Sequence, residues 1–185
     1  MNFKQKPLFF VDIETTGPKS TSDSILEIAV LKTVDNVVVD KFETLLDPKR
    51  PIPYFIQNFT GIKPAMVVGM PSFAEIARDL YEFLADGVFV AHNVSFDYNF
   101  LRNEFAKAGI DWQMPRLCTV KLSRKMFPLE RKHNLDSVIE RIGVKIENRH
   151  RALDDCQVLV ELMQHLQDNH CPIELDKQLQ SLLSN

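Results

Sequence analysis

Two carboxylates, Asp12 and Glu14, stand two residues apart where the apolar run LFFVDI passes into ETTG. If that run is a strand, alternation turns both side chains to one face. Carboxylates this close repel each other, so one takes up a proton or the pair holds a cation. Hard oxygen donors select Mg2+ or Mn2+. An isolated Asp-x-Glu is also what a strand carries where it emerges into solvent. A third acid, Asp97, ends the run Ala91-His92-Asn93-Val94-Ser95-Phe96-Asp97. It falls in the first turn of a helix that follows a strand, and the helix dipole alone accounts for an acid there. The last group is HRALDD, residues 150–155. Asp155 sits on the first turns of the last long helix. His150 precedes it, where an imidazole can serve as a base; exposed surface is the plainer reading of a histidine in a basic loop.

The elements that must position these groups are legible as patterns. Residues 8–13 are too short for a helix and rich in aromatic and branched side chains, so they read as a buried strand. Residues 25–33 and 37–46 form two further strands, joined as a hairpin by the turn residues Val34-Asp35-Asn36. Residues 47–53 hold three prolines and read as a loop. Ser72-x-x-Glu75 is a capping box that opens a helix closed by Gly87. A short strand at 88–91 follows, then a helix that Ser95 can cap and Gly109 can stop. Shorter helices are expected near 119–127 and 134–142, the second capped by Asn134. A longer one covers about 151–167, and the tail after Cys171-Pro172 is a short helix or a frayed end. This order predicts an α/β or α+β domain around a mixed sheet.

The chain has 185 residues, of which 45% are apolar and 25% charged, which excludes a disordered protein. No apolar run approaches the roughly 20 residues that span a membrane, and the start of the chain lacks a signal-peptide pattern. The default expectation is a cytoplasmic protein without a membrane partner. Three scattered cysteines, with no C-x-x-C spacing, argue against a disulfide framework or a zinc site. The net charge is −3, but residues 116–151 carry ten Lys/Arg against four acids. Such a segment fits phosphate contacts, or an ordinary solvated face.

D-x-E-T-T-G after a strand, H-N-x-x-F-D entering a helix and H-x-A-x-x-D entering a later helix occur in this order. With these three motifs the chain resembles the DnaQ-like exonucleases of the DEDD superfamily, the group that includes the proofreading epsilon subunit of bacterial DNA polymerase III. The likeness spans about residues 7–168. Ile25-Leu26-Glu27-Ile28, Thr60-Gly61-Ile62 and Ser123-Arg124-Lys125-Met126-Phe127-Pro128 add to it. His150, five residues before Asp155, matches the histidine branch; the tyrosine branch has Tyr four residues before, where this chain has Arg151.

The resemblance implies a ribonuclease H-like fold with helices on both faces of the sheet, an exonuclease domain over residues 1–170 and a short tail over 171–185. It implies two divalent cations, Mg2+ or Mn2+. Asp12 would bridge them, Glu14 and Asp155 would complete one, and Asp97 would act partly through water. His150 becomes the general base and Asp154 a bystander. Thr15, Thr16 and Gly17 resemble the element that receives the terminal nucleotide, or serve the turn. Ile62 becomes an apolar wedge against the terminal bases, or a core residue under a loop. Phe96 lies near a base or packs in the core, and His92 and Asn93 support the site by hydrogen bonding. Lys125 and Arg131 are candidate strand-holding cations. The substrate implied is a single-stranded or frayed DNA 3′ end, cut to nucleoside 5′-monophosphates. RNA is the alternative, because the motifs hold phosphate and metal and do not read a 2′-hydroxyl. A non-catalytic binding module is the reading from another class, and the presence of all four acids and the histidine argues against it. A polymerase or a sliding clamp is a candidate partner, the latter because Gln178-Leu179-Gln180-Ser181-Leu182-Leu183 resembles a clamp-binding peptide. The absence of a long polymerase-binding extension favours a stand-alone nuclease.

Overall fold

The first strand dictates the architecture. In β1 (Leu8–Thr15), Leu8 and Phe10 face one apolar cluster while Phe9, Val11 and Ile13 face another. A strand apolar on both sides must be covered on both sides. In the computed structural model, which describes residues 6–147 and 149–183, β1 is the centre of a five-stranded sheet of order β3-β2-β1-β4-β5. β2 (Ile25–Val34) pairs antiparallel with β1, and β3 (Val37–Leu45) antiparallel with β2. Asp35 and Asn36, at φ 49° and 65°, make the tight left-handed hairpin turn between them. β4 (Val88–Ala91) runs parallel to β1 and β5 (Arg116–Cys118) parallel to β4. The carboxyl ends of β1 and β4 therefore lie at the same end of the sheet.

Helices cover both faces. α3 (Phe73–Phe83) and α4 (Ser95–Lys107) pack on the side of Phe9 and Val11. α5 (Thr119–Met126), α6 (Leu135–Ile142), α7 (Ala152–Asn169) and α8 (Pro172–Leu182) pack on the side of Leu8 and Phe10. The fold is ribonuclease H-like. α1 (Tyr54–Thr60) and α2 (Pro64–Val67) close a third, smaller cluster formed by Leu26, Ile52, Ile56, Ile62 and Val67.

The Ser72–Glu75 capping box is present, with the Ser72 backbone N–H donating to Glu75 at 2.7 Å. Ser95 does not cap α4. Asn93 turns left-handed at φ 65°, so the helix starts earlier and Ser95 becomes its first residue. Asn134 holds the N-cap position of α6 but gives no side-chain bond to the helix backbone; its side chain accepts from Ser137. The polar tail forms a full helix, α8, because Leu175 and Leu179 bury against the core. The segment 178–183 is thus packed rather than extended, and Lys125 Nζ donates to Ser181 Oγ at 3.1 Å.

The amino end of α7 is fixed by one buried acid. Glu27 on β2 is 2% exposed. It accepts from Arg151 Nε at 3.0 Å and Nη2 at 2.6 Å, and from the Ala152 backbone N–H at 3.0 Å. A buried carboxylate stripped of its guanidinium is strongly destabilising. Arg151→Ala should lower the unfolding free energy in urea by about 3 kcal/mol, whereas Lys6→Ala, which breaks the exposed pair with Asp86, should stay within about 1 kcal/mol. Equal effects would show that the Glu27–Arg151 pair is no anchor.

Candidate active site

Asp12 and Glu14 continue the face of β1 that carries Leu8 and Phe10, the face on which α7 lies. α7 comes close because its partners are small: Ala152 is buried at the contact, and Cys156 Sγ donates to the carbonyl of Ala29, the residue paired with Asp12. This brings Asp155, in the first turn of α7, over the end of β1. One donor atom each from Glu14, His150 and Asp155 lie within 4.8 Å of one another. Asp97, in the first turn of α4, arrives from β4 and is 3% exposed. Its carboxyl group takes hydrogen bonds from its own backbone N–H and from that of Ile13, between Asp12 and Glu14.

Four acids so placed resist ionisation. Burial pushes Glu14 up to about 8, with Asp155 and Glu27 adding repulsion. Burial also pushes Asp97 up to about 8 against its two amide hydrogen bonds. Asp12 is raised well above the usual carboxylate range, first by burial and then by Asp97, Asp155 and Glu14. Asp155 is raised by burial and pulled back by Arg149. Carboxylates held above their ordinary range by desolvation and each other are relieved by a cation. The all-oxygen acid set with one imidazole fits a hard divalent ion such as Mg2+ or Mn2+.

Residues 149–151 are tied down one by one. Arg149 Nη1 donates to both oxygens of Asp155, and its Nε donates to Asp136 of α6 at 2.8 Å. His150 adopts a left-handed backbone, φ 63°, and its ring lies 3.9 Å from that of Phe59, tilted by 36°. Arg151 is held by Glu27. Arg149 and Glu27 were not singled out from the sequence as site residues. Arg149 looked like one more cation in a basic run, and Glu27 like part of a strand motif.

The other sequence candidates divide into groups. Thr15 Oγ1 donates to the Gly17 carbonyl at 2.7 Å, and Thr16 Oγ1 accepts from the Ser24 backbone at 3.0 Å, so both hydroxyls brace the turn after β1. A Cβ on Gly17 would stand 2.6 Å from the Asp23 carboxylate, so the turn has no room for one. Ile62 is fully buried in the third cluster; the structure makes it a core residue with no surface for a base, which corrects the wedge expectation. Phe96 packs against Phe100 at 5.0 Å. His92 Nδ1 meets Thr119 Oγ1 at 2.9 Å, and burial holds this histidine down to about 4. Its Nε2 is buried without a partner among the described residues. Asn93 is exposed in its left-handed turn. Lys125 is engaged with α8, and Arg131 lines a cavity with Leu129 and Lys132. A larger cavity, about 600 Å³, lies at the other end of β1, between the hairpin turn and α8, and none of the four acids lines it.

A family model described as exonuclease, RNase_T, matches residues 9–163. The chain belongs to this exonuclease family. It is 40% identical over 152 residues to a PolC-type DNA polymerase III of Clostridium perfringens, a match covering 82% of this chain but 10% of that protein. It is 34% identical over 154 residues to the DNA polymerase III subunit epsilon of Aquifex aeolicus, covering 82% and 76%. Among solved structures, Exonuclease X in complex with 5′-overhanging duplex DNA superimposes with a TM-score of 0.75 and 25% identity, covering 95% of this chain and 98% of that one. The chain thus spans about a tenth of the PolC-type relative and three quarters of the epsilon subunit.

The carboxylate cluster makes metal-free stability fall with pH. Between the unfolded value of 4.5 and the folded value of about 8, Glu14 binds a proton in the native state that the unfolded chain has lost. Stability is therefore highest at the acid end of this window, declines as pH rises through it, and levels off above it. A divalent ion displaces these protons, so its affinity should climb up to about pH 8. His92, held down to about 4, adds an opposite slope below pH 6.5, so melting curves in EDTA and titrations with Mn2+ across pH 6.5–9 read both slopes; a stability that rises through that range contradicts the raised acids. A divalent ion on Asp155 must also displace Arg149. Arg149→Ala should bind Mn2+ more tightly while melting lower without it, and weaker binding would make the arginine an ally of the metal.

Proposed function

We propose that this chain is a divalent-metal-dependent 3′–5′ exonuclease acting on single-stranded or frayed DNA ends and releasing nucleoside 5′-monophosphates. The observation that carries this reading is the convergence of Glu14, His150 and Asp155 within 4.8 Å, with Asp12 and Asp97 electrostatically joined to them. Membership of the exonuclease family supports hydrolysis of a terminal phosphodiester. The names of its relatives, a polymerase III epsilon subunit and a PolC-type polymerase, support DNA as substrate, proofreading as setting, polymerase III as partner and the cytoplasm as location. A sliding-clamp contact through residues 178–183 draws no support, because Leu179 is in the core.

Asp12, Glu14, Asp97 and Asp155 would hold two divalent cations, which when bound would supply the charge that activates a water and neutralises the departing 3′ oxygen. The remaining work falls to the chain. His150 stands at the rim of the cluster, oriented by Phe59, and takes the proton from the attacking water. Arg149, freed from Asp155 but still bound to Asp136, remains at the site as a cation that can meet a phosphate oxygen. His92, held neutral by burial, adds no charge near Arg149.

With labelled single-stranded DNA, mismatched duplex and RNA, and Mg2+ or Mn2+, the wild type should shorten DNA from the 3′ end to mononucleotides. Asp12→Ala and Asp155→Ala should abolish the reaction with the fold intact by circular dichroism, and His150→Ala should slow it by roughly 10²–10⁴-fold. Turnover by Asp12→Ala near the wild-type rate would sink the metal assignment, and faster digestion of RNA would redirect the substrate.

A further inference from the structure

The helix that touches the catalytic histidine presents an aromatic face to solvent. Among the described residues four aromatic side chains are markedly exposed, and three of them lie on α1: Tyr54 at 76%, Phe55 at 64% and Phe59 at 57%. The opposite face of α1 is anchored, since Ile56 and Thr60 are buried and Thr60 Oγ1 donates to the Ile56 carbonyl at 3.0 Å. The rings are therefore displayed on a fixed support. Phe55 and Phe59 are four residues apart and share one side of the helix, separated by about 6 Å along its axis. That is close to two steps of a base stack, which rise roughly 3.4 Å each.

Two further observations say what this face meets. First, it is continuous with the carboxylate cluster: the Phe59 ring stacks on His150, whose donor atom joins Glu14 and Asp155. A strand end reaching the acids passes beside α1. Second, the surrounding sequence is clear of negative charge. Residues 48–74 contain no Asp or Glu in a chain with 25 acids; of their cations Lys49 is paired with Asp47 and Arg50 donates to the Ser22 carbonyl, so the segment is clear of negative charge without being strongly basic. An acid-free aromatic surface accepts a polyanion that the rest of the protein repels.

We propose that α1 is a base-stacking platform, on which Phe55, one turn from the Phe59 ring that packs on His150, and Tyr54 at its flank hold the bases of the single strand whose 3′ end occupies the site. This rests on the exonuclease reading and adds to it the surface that grips the unpaired bases. Every base has a π face, so the grip is independent of sequence, and a duplex, whose bases are already stacked, gains nothing from it.

Binding of a fluorescein-labelled dT12 in EDTA, read by anisotropy, tests the platform without hydrolysis. Phe55→Ala and Tyr54→Ala should each weaken binding roughly tenfold, and Phe55→Trp should restore it. A 12-mer made abasic along its six 3′-proximal positions should bind the wild type and Phe55→Ala alike. In steady-state kinetics the alanine variants should raise KM for dT12 with kcat within about twofold. Unaltered dT12 binding by the double variant overturns the platform, as does a loss equally large on the abasic strand. A wild-type dimer in sedimentation that Phe55→Ala dissociates, with dT12 binding intact, assigns the face to a second copy instead. A wild type that binds dT12 through α1 yet cuts nothing disproves the exonuclease reading and leaves the platform standing.

Discussion

The structure is organised around a conflict at the carboxyl end of β1. Four acids are brought together where burial and mutual repulsion both oppose their charge. Positive potential is supplied from several directions. Asp97 and Asp155 each occupy the first turn of a helix, so two helix amino-termini point their partial positive charge at the cluster. The Ile13 amide helps hold Asp97, and the Arg149 guanidinium straddles Asp155. These groups reduce the conflict without removing it, since every one of the acids stays above its ordinary range. The cost of ionising these acids is what a bound divalent ion would relieve.

The scaffold serves this arrangement closely. Parallel β1 and β4 deliver Asp12, Glu14 and the start of α4 to one end of the sheet, the usual place for chemistry in open α/β sheets. α7 lies on β1 and β2 with small residues beneath it, and Glu27 sets the height of its first turn. The three residues before it reach in three directions, to α6, to α1 and to β2. A backbone held left-handed at His150 is sustained by those flanking ties.

Much of this was legible in the sequence, for identifiable reasons. The alternation of LFFVDIET placed Asp12 and Glu14 on one face, and Asp35-Asn36 announced the hairpin turn. The capping box fixed the start of α3. What escaped were features decided by tertiary contact. β5 is three residues long and has no pattern to read. α1 and α2 follow the proline-rich loop at 47–53, in a stretch whose pattern announced no element. Ser95 looked like a cap until the Asn93 turn moved the helix start. The basic run at 116–151 looked like a surface for phosphate. In the fold Arg149 and Arg151 are spent on Asp155 and Glu27, Arg141 reaches the Lys132 carbonyl and Ser123, and Arg116 lies over the Tyr98 ring. Charge counts report how many cations there are, and only packing reports which have internal partners.

The order of the site along the chain has a consequence for biosynthesis. Asp12 and Glu14 leave the ribosome early and Asp97 in mid-chain, but His150 and Asp155 are placed only when α7 docks across β1 and β2. Until then the nascent polypeptide holds a sheet edge with acids and no completed centre. Whatever the cluster does therefore waits on α7, whose first turn carries the last of its acids.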